Sequence, residues 1–509
     1  MRQFVLCITI FCLLCTYTRI NAATTVDSLV GCLRSKGVLN YTTSGSPFYS
    51  TALDFSMQNL RFTEAGVPKP AVIILPSTAQ EVQKAWTCML RGGWALRVRN
   101  GGHSYEGLSS SASAPFAIID LINMHKITVN VQKKTAWIEA GVRIGELYHA
   151  IASQSSNRLG FPAGTCSTVG MSGQIMGGGY GMLSRKYGVA ADRVLQAQVI
   201  DGNGKLIKRV STSNPDLFWA LRGGGGGAWG IVVAWKLKLV DLPETITTFS
   251  LWKTGKQVIT DLVYKWQTIA PKAPPELFIA IYMAGISYTG SPDMGASFYG
   301  QYWGTINETL ALLNKIYPEL GLSESDCKQG NWMQAATTMA GLSDPDALLN
   351  RQQSSRNYFK GKSDFVSKPL TKAALSAAYD IMVKNTKGWM IFEPYGGVIS
   401  RIPSSAIAFP HREGRLFMIQ YQAVWAEDSN SSESNLIEWL RGLYSYMAPF
   451  ATYTPSRAAY VNYIDLDLGD GMGAGKSYFG ANFVRLVEIK ARFDPSDVFN
   501  QPQSVPVTM

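Results

Sequence analysis

The sequence predicts an α/β or α+β chain of two or three domains, and three observations predict it. Short apolar runs alternate with helical patterns from about Ala71 to Val240. Beyond about Pro243 the pattern changes to aromatic strands, such as Leu277 to Met283 and Leu416 to Trp425, alternating with helices such as Lys372 to Lys384. A chain of 509 residues also exceeds what one hydrophobic core holds comfortably.

Ala71 to Leu75 reads as a short apolar strand. Thr78 and Glu81 form a capping box that opens a helix running to about Arg91. Trp94 to Val98 is the next strand, and after a glycine-rich loop Phe116 to Leu121 is another. Thr135 to Ala140 follows as strand and Ile144 to Gln154 as helix. Leu195 to Arg209 reads as a hairpin around Asp201-Gly-Asn-Gly. Gly225, Gly227 and Gly230 match the dinucleotide-binding spacing, but that turn needs a strand before it and a helix after it. Here helix-like Pro215 to Arg222 precedes and strand-like Ile231 to Val240 follows. The run reads instead as a loop whose backbone approaches a ligand closely and offers N–H groups to a pyrophosphate.

The first residues read as a leader rather than as fold. Arg2 is positive, Phe4 to Cys15 is apolar but too short to span a bilayer, and Ile20-Asn21-Ala22 ends in a small residue suited to cleavage. No later stretch is long and apolar enough to span, so no membrane partner is expected. Sequons at Asn40, Asn307 and Asn430 agree with secretion. Loss of the leader removes Cys7, Cys12 and Cys15 and leaves Cys32, Cys88, Cys166 and Cys327 in a compartment that permits disulfides. Their spacing matches no zinc pattern, and no metal is expected. The net charge of +11 is spread without a basic run, which argues against nucleic acid as a partner.

His103 and Cys166 carry the chemistry. His103 lies in the loop Arg99-Asn100-Gly101-Gly102-His103-Ser104-Tyr105-Glu106. Cys166 lies in the stretch Gly160 to Gly170, which includes Gly164-Thr165-Cys166-Ser167-Thr168-Val169-Gly170, and Gly177-Gly178-Gly179-Tyr180-Gly181 follows. One imidazole and one thiol on separate glycine-rich loops are what a flavin bonded at two ring positions requires. Together the loops resemble the berberine bridge enzyme-like flavoproteins of plants, in the vanillyl-alcohol-oxidase superfamily, and the resemblance runs from about Val67 to the C-terminus. After the leader read over residues 1–22, it implies a two-lobed α+β fold: an FAD-binding domain over 23–242 and a substrate domain over 243–460 formed by an antiparallel sheet covered by helices. Residues 461–509 would return to the FAD domain, as the tail Phe493-Asp-Pro-Ser-Asp-Val-Phe-Asn-Gln resembles the family's C-terminal signature.

The resemblance further implies FAD bonded through His103 at its 8α-methyl and through Cys166 at C6. The surrounding cradle would comprise Arg99, Asn100, Gly101, Gly102 and Ser104, then Gly164, Thr165, Ser167, Thr168, Val169 and Gly170. Gly173, Gln174, Gly177, Gly178, Tyr180 and Gly181 would continue it, with Gly230, Ile231, Val232 and Asn462. A Cys32–Cys88 disulfide is implied as well, leaving Cys327 a buried free thiol. The excess basic charge then fits an acidic wall polysaccharide as partner, or simple solubility.

Tyr463 is the expected base, because Tyr460-Val-Asn462-Tyr463 resembles the family motif whose second tyrosine lies over the flavin. A free tyrosine titrates near about 10, so it needs activation to act near neutrality. Tyr105 and Tyr180 match further active-site tyrosines. Met418 and Gln420 share one strand face. Homologues carry Glu or Lys at the place of Met418, and a methionine can neither take a proton nor activate a tyrosine. Ser172-Gly173-Gln174 stands where the family reads Gly-Gly-His, and Gln174 can exchange hydrogen bonds but cannot carry charge. Val169 accompanies reaction with dioxygen in the family, where leucine accompanies dehydrogenases. The expected activity is a secreted, cell-wall oxidase producing hydrogen peroxide, with a short oligosaccharide such as cellobiose oxidised at its anomeric carbon. A monolignol-type alcohol is the alternative and an alkaloid comes third. A catalytically silent wall-binding flavoprotein is the reading from another class.

Overall fold

The computed structural model describes residues 25–112, 115–288, 291–353, 356–426, 430–453 and 456–509. The leader expected over residues 1–22 and the side chain of Asn430 lie outside what is described. Two sheets build the N-terminal lobe. In the first, Val72–Ile74 and Ala95–Arg99 both run parallel to Phe116–Asp120, and Tyr41–Thr43 pairs antiparallel at the edge. Val72 to Ile74 and Phe116 to Asp120 are buried at every position, the pattern of strands covered on both faces. The expected cap starts helix Ala79–Gly92, with Glu81 N donating to Thr78 Oγ1 at 3.2 Å, while the return bond of the capping box is shifted by one residue: the Glu81 carboxylate accepts from Ser77 N at 2.7 Å instead of from Thr78 N. Helix Val26–Ser35 packs on it, tied by the Cys32–Cys88 disulfide with a Cα–Cα distance of 5.8 Å. That pairing is the one the resemblance implied.

The second sheet is antiparallel, in the order Ile127–Asn130, Thr135–Glu139, Ile231–Lys238, Val194–Ile200, Leu206–Val210. Asp201 shapes its expected hairpin turn, its Oδ1 accepting from the N–H groups of Asn203 and Lys205. The glycine run from Gly223 to Gly230 links helix Pro215–Ala220 to the central strand of this sheet, the helix-before-strand order that rules out a Rossmann turn.

A seven-stranded antiparallel sheet forms the second lobe, in the order Cys327–Gly330, Ile246–Thr254, Ser291–Tyr302, Leu277–Tyr288, Gly388–Pro394, Phe417–Trp425, Tyr358–Val366. Side chains alternate across it. Leu277, Ile279, Ile281, Met390, Phe392, Phe417, Ile419 and Tyr421 share one core with helices Lys256–Ile269, Lys372–Met382 and Asn430–Met447. Phe278, Ala280 and Met418, on the opposite face, share the core of the N-terminal lobe. Tyr478, Phe479 and Leu486, from helices Gly471–Phe479 and Phe483–Phe493, join that same core. The sheet therefore roofs the two glycine-rich loops, and its even-numbered positions on Phe417–Trp425 look down on them.

Two expectations are corrected. Cys327 is a free thiol but half-exposed rather than buried, because it opens the edge strand of the seven-stranded sheet. Arg99 does not reach toward a cofactor. Its guanidinium is fully buried beneath the parallel sheet, bonded to Asp120 at 2.7 and 2.9 Å and to the carbonyls of Ala52 and Leu53. Removing one partner of such a pair leaves a buried charge unpaired, at a cost of about 3–5 kcal/mol. Arg99→Met is therefore expected to lose about that much stability in denaturant unfolding, while the folded fraction keeps its flavin. Flavin loss at unchanged stability would return Arg99 to the cofactor site.

Candidate active site

One cavity of about 640 Å³ lies between the lobes. Both glycine-rich loops form its floor, the glycine run Gly224 to Gly227 closes one end, and the odd positions Trp389, Ile391 and Glu393 of Gly388–Pro394 line its roof. The floor is backbone because backbone must come close there. A Cβ on Gly170 would fall 1.6 Å from Asn100 Oδ1, and one on Gly102, at φ +71°, would fall 1.5 Å from the Ser56 carbonyl oxygen.

Thr168 brings the imidazole and the thiol together. Its Oγ1 lies 2.9 Å from His103 Nε2 and 3.6 Å from Cys166 Sγ. Both loops thus converge on one hydroxyl, and Nδ1 is left as the imidazole nitrogen not engaged by Thr168. Burial, with Arg143 adding to it, pushes His103 down to about 3. The ring is neutral across the physiological range and keeps a lone pair for bonding. Asn100, on the cavity wall, has both amide atoms buried without a partner. A buried amide with neither donor nor acceptor engaged calls for a polar ligand. That orphan amide, the glycine floor and the open Gly224 to Gly227 loop fit an FAD, whose pyrophosphate such backbone accepts.

Tyrosines line the wall beneath the roof. Tyr463 stacks on Tyr105 with ring centroids 5.3 Å apart and planes 14° apart, and meets Tyr460 edge-on at 5.0 Å. The Gln420 amide donates to the Tyr105 hydroxyl. Tyr463 O–H donates to Glu393 Oε2 at 3.5 Å. Tyr180 stacks on Tyr395 and spends its hydroxyl on the Pro394 carbonyl, so it is a poor base. Tyr460 pins the glycine loop: its oxygen accepts from Gly179 N at 3.1 Å, Tyr180 N at 3.2 Å and Asn462 Nδ2 at 3.0 Å. Burial first, then the Glu393 charge, pushes Tyr463 well above the usual 10. Burial also pushes Glu393 up to about 7, against the hydrogen bond from Tyr463.

Of the residues expected at the cofactor, most line this cavity: Asn100 to Ser104, Gly164, Thr165, Cys166, Val169, Gly170, Gly173, Gln174, Tyr180, Gly181, Gly230, Val232 and Asn462. Six stand behind the wall. Arg99 pairs with Asp120, Thr168 bridges the two loops, and Ser167 supports Gly145 through its carbonyl. Gly177 and Gly178 pack against Asn462 and Phe409, and Ile231 is fully buried in the N-terminal core. Ser172 bonds the Ala140 carbonyl and accepts from Trp235 Nε1, so its role is in the fold. Gln174 donates to the Tyr180 carbonyl at 3.2 Å. Sequence reasoning missed Glu393, Trp389, Tyr299 and Arg97, all on the cavity wall. The strict alternation of Gly388–Pro394 was the available signal, since it puts Glu393 on the face opposite Met390 and Phe392.

Residues 70–209 match the FAD binding domain family, and residues 459–506 match the family described as berberine and berberine like. The chain is 41% identical to berberine bridge enzyme-like D-1 of Nicotiana tabacum, over 95% of this chain and 92% of that one. It is 38% identical to a monolignol oxidoreductase of Arabidopsis thaliana, over 99% and 97%. Among solved structures it is similar to berberine bridge enzyme from Eschscholzia californica, with TM-score 0.91 and 36% identity over 94% of this chain and 99% of that one. It is also similar to a grass pollen allergen with glucose dehydrogenase activity, with TM-score 0.89 and 38% identity over 94% and 100%.

Tyr460→Phe keeps the ring but strips the buried N–H groups of Gly179 and Tyr180 of their acceptor. A buried donor left unsatisfied costs about 1–3 kcal/mol, so the unfolding midpoint is expected to fall. Tyr463→Phe, whose hydroxyl faces the cavity, is expected to leave the midpoint nearly unchanged. Equal midpoints for the two variants would remove the pinning role.

Proposed function

This chain belongs to the berberine bridge enzyme-like family of FAD-binding oxidoreductases, and on that premise we propose that it is a secreted oxidase that converts a carbohydrate to its lactone at the anomeric carbon. FAD would be held through both His103 and Cys166, with dioxygen as the final acceptor. The convergence of His103 and Cys166 on the Thr168 hydroxyl carries the double tether. The roof carries the substrate reading: Gln420, Gln422, Glu393 and Tyr299 supply polar partners beside the flat face of Trp389, the mixture of aromatic and hydrogen-bonding groups that a sugar needs. Secretion rests on the leader pattern with the sequons, and an acidic wall polysaccharide as partner rests on the excess basic charge, which is +11 for the whole chain and remains strongly positive once the leader's Arg2 and Arg19 are removed.

Bound FAD supplies a hydride-accepting centre. The protein's part is to hold and orient. Neutral His103 offers Nδ1 as one tether, and Cys166 Sγ the other. Asn100, Gln174, Asn462 and the glycine loops line the cofactor's side of the cavity. Tyr463 takes the proton of the substrate hydroxyl, oriented by its stack on Tyr105, which Gln420 in turn fixes. Val169 lines the cavity near Cys166, and its small side chain leaves room for dioxygen. The second reading, a monolignol-type alcohol, is favoured by the Arabidopsis relative and by the aromatic walls. An alkaloid substrate ranks third. Met418 and Gln174, the two departures behind the silent-flavoprotein reading, lose their weight once a carboxylate is found opposite Met418 and Gln174 is found bonded to the loop.

Acid-precipitated wild-type protein is expected to keep its yellow colour. His103→Ala and Cys166→Ala should each keep it through the remaining tether, and the double variant should release free FAD. Colour lost from the wild type would overturn the covalent attachment. Hydrogen peroxide release measured against cellobiose, longer cello-oligosaccharides and cinnamyl alcohols separates the substrate readings, with the sugars expected to win. On the productive substrate Tyr463→Phe should slow flavin bleaching by about 10² to 10⁴, the range for a general base. An undiminished rate would move that role elsewhere.

A further inference from the structure

We propose that the cavity continues outward as a stacking shelf, formed by Trp389, Tyr282 and Trp252, that holds the further units of a linear, uncharged oligosaccharide while its reducing end reacts inside. This rests on the carbohydrate reading of the cavity and deepens it, because it commits to a chain rather than to a single sugar.

The register of the seven-stranded sheet builds the shelf. On Ile246–Thr254, Phe249 and Leu251 enter the helix-covered core, so Ser250, Trp252 and Thr254 stand on the opposite face. That is the face whose Trp389 and Ile391, on Gly388–Pro394, line the cavity. Two rungs cross it in register. In one, Trp252 pairs with Ser297, Ser297 with Tyr282, and Tyr282 with Ile391. In the next, Thr254 pairs with Gly295, Gly295 with Ala284, and Ala284 with Trp389. Toward one end of the sheet the N-terminal lobe covers this face, since Ile246, Phe278 and Ala280 join its core. Toward the other end the face opens: Trp252 is 52% exposed, and Tyr282, Ala284 and Trp389 are half-buried.

Three rings follow one another across the open part. The centroids of Trp389 and Tyr282 are 5.7 Å apart, and those of Tyr282 and Trp252 are 6.4 Å apart. Strands lie about 4.8 Å from one another, so the shelf runs about 14 Å from the strand of Trp389 to that of Trp252. That is longer than one sugar ring. Trp252 is seated for such contact. A Cβ on Gly295 would fall 2.6 Å from its six-membered ring, so the indole occupies space that this position leaves empty and still keeps half its surface wet.

A run of aromatic rings left wet beside a cavity marks a ligand groove rather than fold stability. The chemistry of the two rungs selects the ligand. The C–H groups of a pyranose pack on an aromatic face, while its hydroxyls need polar partners. Ser297, between Trp252 and Tyr282 on the ladder, and Ser250 supply them, their hydroxyls 3.0 Å apart. Neither rung carries a charged side chain, so the carboxylates of a uronate chain would lose water there without gaining a cation. A chain linked through equatorial bonds, as in cello-oligosaccharides, is a flat ribbon that follows a flat sheet, whereas an α-1,4-linked chain curls away. A monolignol is spent inside the cavity and has nothing to lay on the shelf.

The test uses the flavin-loaded enzyme with cellobiose, cellotetraose, maltotetraose and tetragalacturonate. The KM of the wild type should fall about tenfold from cellobiose to cellotetraose, with no such gain for the α-linked or the charged tetramer. Trp252→Ala, at an exposed site that the fold tolerates, should lose that gain, with the loss in KM rather than kcat. Trp252→Phe should regain most of it, and Gly295→Ala, which pushes the indole off the sheet, should lose part. Calorimetric titration with cellotetraose should follow the same order. A wild type indifferent to chain length overturns the shelf, as does a gain that survives in Trp252→Ala or that maltotetraose or tetragalacturonate shares. If no sugar reduces the flavin of the wild type, the carbohydrate oxidase reading falls and calorimetry alone decides. Cellotetraose binding that Trp252→Ala weakens then sustains the shelf, and absence of binding overturns it.

Discussion

The active site is held in shape by two buried ammonium groups. Lys360 and Lys362 project from strand Tyr358–Val366 into a cluster of three carboxylates. Lys360 pairs with Glu106 and, at 2.7 Å, with Asp465; Lys362 pairs with Asp465 and Asp467, each at 2.7 Å. Glu106 directly follows Tyr105, and Asp465 comes two residues after Tyr463. Three remote segments are thus locked together beside the stacked tyrosines: the His103 loop, the substrate sheet and the C-terminal segment. Burial works against the Lys360 ammonium, but Asp465 and Glu106 outweigh it and hold its pKa above the ordinary value. Charges this deep are tolerated only when paired, so the cluster favours the one arrangement that pairs them all.

Away from that cluster the cavity favours uncharged forms. Burial lowers His103 and raises Glu393, Tyr105 and Tyr463, in each case toward neutrality. A low-dielectric slot of this kind strengthens every hydrogen bond aimed into it and penalises any isolated charge formed there. Proton movement inside it must therefore be concerted, from one hydrogen-bonded group to the next. Tyr460 illustrates the structural side of the same rule: one buried phenol oxygen satisfies two backbone N–H groups of the glycine loop and the Asn462 amide.

The relatives act on different molecules: one is a monolignol oxidoreductase, and another, the grass pollen allergen, has glucose dehydrogenase activity. A shared fold carries such differences because the cofactor floor and the substrate roof belong to separate sheets. The floor is backbone and glycine, and at Gly101, Gly102 and Gly181 a side chain would collide with neighbouring main chain. The roof is the open face of an antiparallel sheet, where Trp389, Glu393, Gln420 and Gln422 can change without disturbing the residues between them, which point into the helix-covered core.

The flavin loops, the strands that flank them, the helix caps and the hairpin at Asp201 were legible in the sequence because each is a local pattern. A capping box, a glycine that must admit backbone, and a strand with period two all depend on neighbours within a few residues. Tyr463, Tyr105 and Gln420 were legible through their motifs, and the structure brings the three together. What sequence could not supply was who faces whom. Arg99 lies in the histidine loop's motif, yet a buried Asp120 on the next strand claims it and leaves Arg97 on the cavity wall. Cys327 was expected inside and sits half-exposed on an edge strand, since strand order decides which strand is an edge. Glu393 lies seventy residues from Tyr463 in sequence and within hydrogen-bonding reach of it in space. Its pairing across the ladder with Met418 is set by the register of the seven-stranded sheet, a contact between distant segments that no local pattern encodes.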